Sequence, residues 1–285
     1  MPTAADASAL TADGTAAYKQ QVNAAAAALP DLDASPTVAI VRDVELDDVL
    51  QAGTVEHTIP YANLPHYPAS DGTLTIGTLG GTQVVELDQA FHLYDGHTPR
   101  EVSFPVRMLA TAGIDSLLLA APAGSVTAQA DRGDLMLLTD HINFQGQNPL
   151  VGPNVEEWGP RFPDMTAPYD ATLRQRASDA ARSTGVPLRQ GIYMGLLGPH
   201  YETTAEHRMA HRLGADVVGT GVVPEVLAAR HMGVHVMALT LLTAQHLAED
   251  DGAPSSEGPS LETGRSQLHR LLVATVAANE QAGSR

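Results

Sequence analysis

The chain has 285 residues, 44% hydrophobic and 17% charged, long enough to bury a substantial core as one large α/β domain or two small ones. Lys and Arg number 16 against 33 Asp and Glu, a net charge of −17 that argues against nucleic acid or an anionic membrane surface as a partner. The absence of Cys excludes disulfides, thiol catalysis and Cys-ligated metals. No apolar run reads as a membrane span, and the opening MPTAADASALTADG lacks the basic and apolar segments of a signal peptide, so a cytoplasmic protein is expected.

Residues 1–14 are polar, and the Ala-rich stretch Thr15 to Leu29 reads as a helix that stops before Pro30. Residues 1–35 are therefore an expected N-terminal helical extension and 36–285 the α/β domain. Val38 to Val41 is a first strand. Residues 51–72 read as loop. Gly72 to Leu87, with β-type residues around Gly77 and Gly80-Gly81, reads as a hairpin. A helix over Phe104 to Ala112, strands over Ser116 to Ala121 and over 134–139, and a loop of more than twenty residues reaching Met165 follow. A helix over 171–184 leads to Gly191–Thr243, where apolar runs alternate with helical spacing in a repeated strand–helix–strand pattern. Such a pattern gives a mostly parallel sheet whose chemistry sits at the carboxyl ends of the strands. Here those loops are Gly198 to Glu202, Gly219 to Gly221 and Thr243 to Gln245. The acidic stretch 247–261 reads as a solvated loop and 262–280 as a closing helix.

His207 and His211 are four apart on one helix, but no carboxylate completes an HExxH arrangement, and neither a metal nor another cofactor is expected.

Several stretches jointly carry a family likeness. They are Asp140-His141-Ile142-Asn143 with Gly146-Gln147-Asn148-Pro149-Leu150; Arg161-Phe162-Pro163; Gly198-Pro199-x-Tyr201-Glu202-Thr203; Val223-Pro224-Glu225-Val226 with Ala229-Arg230-His231; and Phe91-His92-x-Tyr94-x-Gly96. In this order they resemble the trimeric purine nucleoside phosphorylases, which cleave inosine and guanosine with phosphate. The resemblance implies a single-domain α/β nucleoside-phosphorylase fold, with a central mixed, mostly parallel sheet flanked by helices, and a homotrimer.

At the base end the resemblance puts Glu202 against N1–H of a 6-oxopurine and Tyr201 against the ring. Tyr193 falls on a site tyrosine and Thr220 on a ribose-contacting Met, with Tyr94, Ala123 and Thr243 also among the ligand-binding positions. Two plainer readings stay open: Glu202 as a carboxylate favouring a helix start, and Tyr193 as core. Ala244 stands where the family has an Asn that stabilises charge on the leaving base, a contact often worth about 3 kcal/mol.

The phosphate end departs further. The glycine-rich loop that cradles phosphate aligns with Arg42-Asp43-Val44-Glu45-Leu46, with Asp43 at the serine position. Ala90 replaces a phosphate-clamping Arg, Gly221 a site serine, and His92 is retained. The family's ribose 5′-hydroxyl His falls near Ser255 or Ser256. Trp158 falls where the family inserts a Phe into a neighbouring subunit; a loop anchor within its own chain is the alternative.

The expected function is thus a divergent phosphorylase-like enzyme on a nucleoside-like or heterocyclic ligand, acting without phosphate. Hydrolysis with Asp43 or His92 as general base is one form, and a repurposed isomerisation, elimination or cyclisation with Glu202 as acid or base is another. The alternatives are a true phosphorylase whose anion site is rebuilt from His92 and Arg42, and a non-catalytic scaffold of the same fold.

Overall fold

A computed structural model of the chain describes residues 10–32, 37–245 and 258–278. Among these, nine strands form one sheet in the order β2-β3-β4-β1-β5-β8-β7-β6-β9. The strands are β1 (Thr37–Arg42), β2 (Thr54–Pro60), β3 (Thr73–Leu79), β4 (Thr82–Leu87), β5 (Ser116–Ser125), β6 (Leu135–Asn143), β7 (Arg189–Gly195), β8 (Val217–Gly219) and β9 (His235–Gln245). β9 also pairs in parallel with β5, so β5, β8, β7, β6 and β9 close on themselves. The long β5–β9 register, from Ser116↔His235 to Ser125↔Gln245, is what draws the sheet shut.

The helices are α1 (Ala12–Ala26), α2 (Pro99–Ala112), α3 (Ala171–Thr184), α4 (Thr204–Arg212), α5 (Val223–His231) and α6 (Leu261–Ala277). α2 packs against both α1 and α5, and α3 packs against α6. Strands buried on both faces read as continuous apolar runs because successive side chains point opposite ways. In β1, Ala39 and Val41 join one core while Val38 and Ile40 join the other. β5 divides likewise, with Leu117 and Leu119 on one side and Leu118 and Ala120 on the other.

The expected mixed, mostly parallel sheet flanked by helices is the observed one. The Gly80-Gly81 turn has φ of +54° and +72°, the left-handed pair that a tight hairpin demands and glycine tolerates. Four elements depart most from expectation. β2 lies within the stretch read as loop. β5 and β6 run about four residues past their apolar cores, to Ser125 and Asn143. α2 starts five residues early, at Pro99, because Thr98 and Glu101 form a reciprocal cap and Pro99 suits a first turn. α1 contributes Val22 and Ala25 to the same core as Phe104 and Leu109. Ser255, Ser256 and the acidic run Glu249-Asp250-Asp251 lie outside the described residues.

Candidate active site

The loops after β1, β4, β7 and β8 converge, and two groups of side chains result. The first is built on Asp43, just past β1, whose backbone N–H donates to the Ala120 carbonyl of β5 at 2.7 Å. Its Oδ1 lies 2.9 Å from Nε2 of His92, in the segment after β4. A Cβ placed on Gly221 would stand 3.5 Å from Asp43 Oδ2 and 3.6 Å from His92 Cε1, so the turn after β8 faces the pair across an open contact. The sequence positions aligned with the phosphate end therefore do meet in space, around a carboxylate and an imidazole.

His92 is 8% exposed, and its Nδ1 is buried with no hydrogen-bond partner. Burial pulls the imidazole pKa down, but the hydrogen bond and charge of Asp43, with Glu225 and Asp95 further away, outweigh it and hold it above its ordinary value. Glu225, in the first turn of α5, is 3% exposed and also has an unpartnered oxygen, Oε2. Burial pushes its carboxyl up to about 7. A shifted carboxyl and a shifted imidazole at one place are the physical marks of a reactive site.

Tyr94 links the two groups. Its ring stacks on His92, with centroids 4.6 Å apart and planes 14° apart. A Cβ on Gly198 would lie 3.4 Å from Tyr94 Cδ1 and 3.0 Å from Thr220 Cγ2, so the loop after β7 closes onto both residues. That loop then carries Tyr201, 86% exposed, and Glu202, whose Oε2 lies 3.3 Å from Nε2 of buried His207 in α4. Gln145 locks the framework from behind, its Nε2 donating to the Thr220 carbonyl at 2.9 Å and the Leu196 carbonyl at 3.4 Å.

Other expected site residues take supporting places. Tyr193 is fully buried, and its hydroxyl donates to the Gly221 carbonyl at 3.2 Å, so it supports the turn after β8 from beneath. Ala123 is buried in β5, and its carbonyl accepts the hydroxyl of exposed Thr243 at 3.3 Å. Trp158 packs within its own chain. Its indole is 9% exposed beneath the Arg107 guanidinium, 4.6 Å from the ring centroid, and meets Tyr18 edge-on. Arg42 is spent elsewhere, 2.5 Å from Asp48 Oδ1 and 2.6 Å from Glu86 Oε1, which removes it from a rebuilt anion site. His207 and His211 do not share a metal position, since His207 turns to Glu202 while His211 is exposed; among the described residues no cluster suits a metal.

Sequence reasoning passed over Glu225, Gln145 and the Glu202–His207 contact. Glu225 follows Pro224 at a helix start and so looks like an ordinary first-turn carboxylate; only its burial distinguishes it.

A cavity of ≈ 760 Å³ borders this region through Leu93 and Leu197 and continues past Leu10, Arg100, Asn148 and Val151. Its lining excludes Asp43, His92 and Glu202. No helix among the described residues is long and apolar enough to cross a membrane.

A family model described as the phosphorylase superfamily matches residues 37–277. Purine nucleoside phosphorylase 1 of Bacillus subtilis is 37% identical over 233 residues, covering 79% of this chain and 85% of that one. The purine nucleoside phosphorylase of Bos taurus is 35% identical over 284 residues, covering 93% and 98%. Among solved structures, a Schistosoma mansoni purine nucleoside phosphorylase bound to a monocyclic inhibitor superposes with a TM-score of 0.80 at 31% identity, covering 92% and 96%. A Schistosoma purine nucleoside phosphorylase in complex with hypoxanthine gives 0.78 at 31% identity, covering 94% and 98%. The match spans every strand that builds the site, and on that ground the chain belongs to the purine nucleoside phosphorylase family of the phosphorylase superfamily.

Proposed function

We propose that the protein cleaves the N-glycosidic bond of a purine-type nucleoside, passing the sugar to phosphate as its named relatives do. The observation that carries this reading is continuity. Asp43 and His92 at one end, and Tyr201 and Glu202 at the other, are joined by Tyr94, Thr220 and Gly198 in direct contact. One nucleoside would then place its base at Glu202 and its anomeric carbon toward His92. A phosphate oxygen attacks C1′, the C1′–N9 bond breaks, and its electron pair stays on the base, which takes up a proton. His92 supplies the positive charge for phosphate, since its raised pKa favours the protonated ring. A protonated phosphate oxygen can donate to Asp43. Glu202 holds the base through an N–H. Base release from inosine that is lost in Glu202→Ala, with the variant still folded, is the expected result; equal release by the variant would remove the base-end assignment.

A second reading rests on Asp43 itself. A carboxylate at the acceptor end repels an anion, and an imidazole with one nitrogen held by Asp43 and the other buried and free is arranged as a general base. Water would then lose a proton to His92 Nδ1 as its oxygen bonds C1′, giving ribose and free base without phosphate.

We further infer a homotrimer, which the resemblance implies. Exposed Phe144, Val151 and Leu197, with Leu10 at the rim of the ≈ 760 Å³ cavity, give it apolar surface to cover.

A further inference from the structure

The Glu202 carboxylate does not stand alone at the base end. Its Oε2 lies 3.3 Å from Nε2 of His207, which is 5% exposed, while the Glu202 side chain is itself only 12% exposed. The two residues are five apart and join a loop to a helix. His207 is fixed one turn into α4, its backbone N–H donating to the Thr203 carbonyl at 3.0 Å. Thr203, directly after Glu202, is fixed too: its N–H donates to Glu206 Oε2 at 2.7 Å, and its side chain caps the helix. The backbone on one side of Glu202 and its carboxylate are therefore both held before any ligand arrives.

We infer that His207 is a positioning residue that sets base selectivity, by engaging Oε2 of Glu202 and leaving Oε1 to the incoming base. The inference rests on the reading of Glu202 as the base-binding carboxylate. Its chemistry is simple. A neutral or protonated imidazole donates from Nε2 to a carboxylate oxygen. That leaves one oxygen fully available, which suits a base presenting a single N–H at this edge, as hypoxanthine does at N1. Guanine presents N1–H beside an exocyclic amino group and would use both oxygens. Oε2 keeps a second lone pair, so the result is a preference and not an exclusion. A second consequence is pre-organisation. A Glu side chain loses up to about 2 kcal/mol of rotamer freedom when ordered, and His207 orders it in advance.

The test is calorimetric binding of inosine and of guanosine to the full chain and to His207→Ala, His207→Gln, Glu202→Ala and the double variant His207→Ala/Glu202→Ala. Gln can set an amide nitrogen near the place of Nε2, so it stands in for the imidazole donor. The wild type should favour inosine over guanosine severalfold. His207→Ala should weaken inosine about tenfold and erase or reverse that preference, His207→Gln should restore most of it, and His207→Ala should add nothing once Glu202 is Ala. An inosine-to-guanosine ratio unchanged by His207→Ala, alongside lost binding in Glu202→Ala, overturns the inference and leaves the base-end reading standing. Undiminished binding by Glu202→Ala, or no binding of either nucleoside by the wild type, overturns both.

Discussion

Asp43 Oδ1 and His92 Nε2 stand 2.9 Å apart, a carboxylate and an imidazole in direct contact at the ends of β1 and β4. The contact raises the imidazole pKa against the opposing pull of burial. A group whose pKa is higher folded than unfolded contributes stability that is fully present below its unfolded value, ordinarily about 6.5, and is lost as pH rises through the folded value. Asp43→Asn should therefore lower the melting temperature more at pH 5.5 than at pH 8.5. An equal loss at both pH values would mean that the pair is not coupled to proton binding.

Glu225 carries the same sign through a different cause, burial with Oε2 left unpartnered. Burial pushes its carboxyl up to about 7, so the folded protein holds a proton there that the unfolded chain has released. Wild-type stability should fall as pH rises from about 4.5 through 7, and Glu225→Gln should not share that fall. The variant should gain up to about 3 kcal/mol relative to wild type at pH 8.5, and much less at pH 5. Denaturant melts of both proteins at the two pH values measure it.

Tyr193 and Gly219 meet too closely to admit another atom: a Cβ on Gly219 would overlap the tyrosine hydroxyl. Gly219→Ala should cost about 1–3 kcal/mol through overpacking. Tyr193→Phe alone should cost about 1 kcal/mol for its bond to the Gly221 carbonyl. Combined, the two should cost less than their sum, because the phenylalanine ring makes room for the methyl group. A thermal-melt cycle over the four proteins reads the coupling, and strict additivity would contradict the packing described.

Trp158 is the only tryptophan and lies under Arg107, whose guanidinium burial lowers to about 10 and whose Nη1 is 2.8 Å from His231 Nδ1. Trp158→Ala should destabilise by about 3–5 kcal/mol, as large buried truncations do. Trp158→Phe should leave the KM for nucleoside within about twofold. A KM rise of tenfold or more in a folded Trp158→Phe variant would restore the reading in which this ring serves a neighbouring site.

Periodicity made most of the fold legible. Strands buried on both faces, such as β1 and β5, announce themselves as apolar runs, and α4 through its Thr203–Glu206 cap. β2 was hidden because every residue but Ile59 is exposed, so no apolar pattern marks it and only its pairing with β3 makes it a strand. In the candidate site, a motif at a strand end was enough to bring Asp43 to His92 and to set Glu202 on the loop after β7. What the sequence does not carry is side-chain direction. Tyr193 and Trp158 occupy ligand-like sequence positions but turn inward, and Arg42 is drawn away by Asp48 and Glu86. Spacing carries no information about such competition between partners. His207 was visible only as half of a histidine pair, and its turn toward Glu202 is set by the angle between the loop and α4.

The most direct test is to incubate the purified protein with inosine, with and without phosphate, and to identify both products by chromatography and NMR. Hypoxanthine appearing with ribose 1-phosphate, and only when phosphate is present, is the result predicted by the phosphorylase reading. Hypoxanthine with free ribose in phosphate-free buffer would transfer the assignment to the water-accepting Asp43–His92 pair. Intact inosine under both conditions, from protein shown to be folded, would contradict glycosidic cleavage at this site altogether.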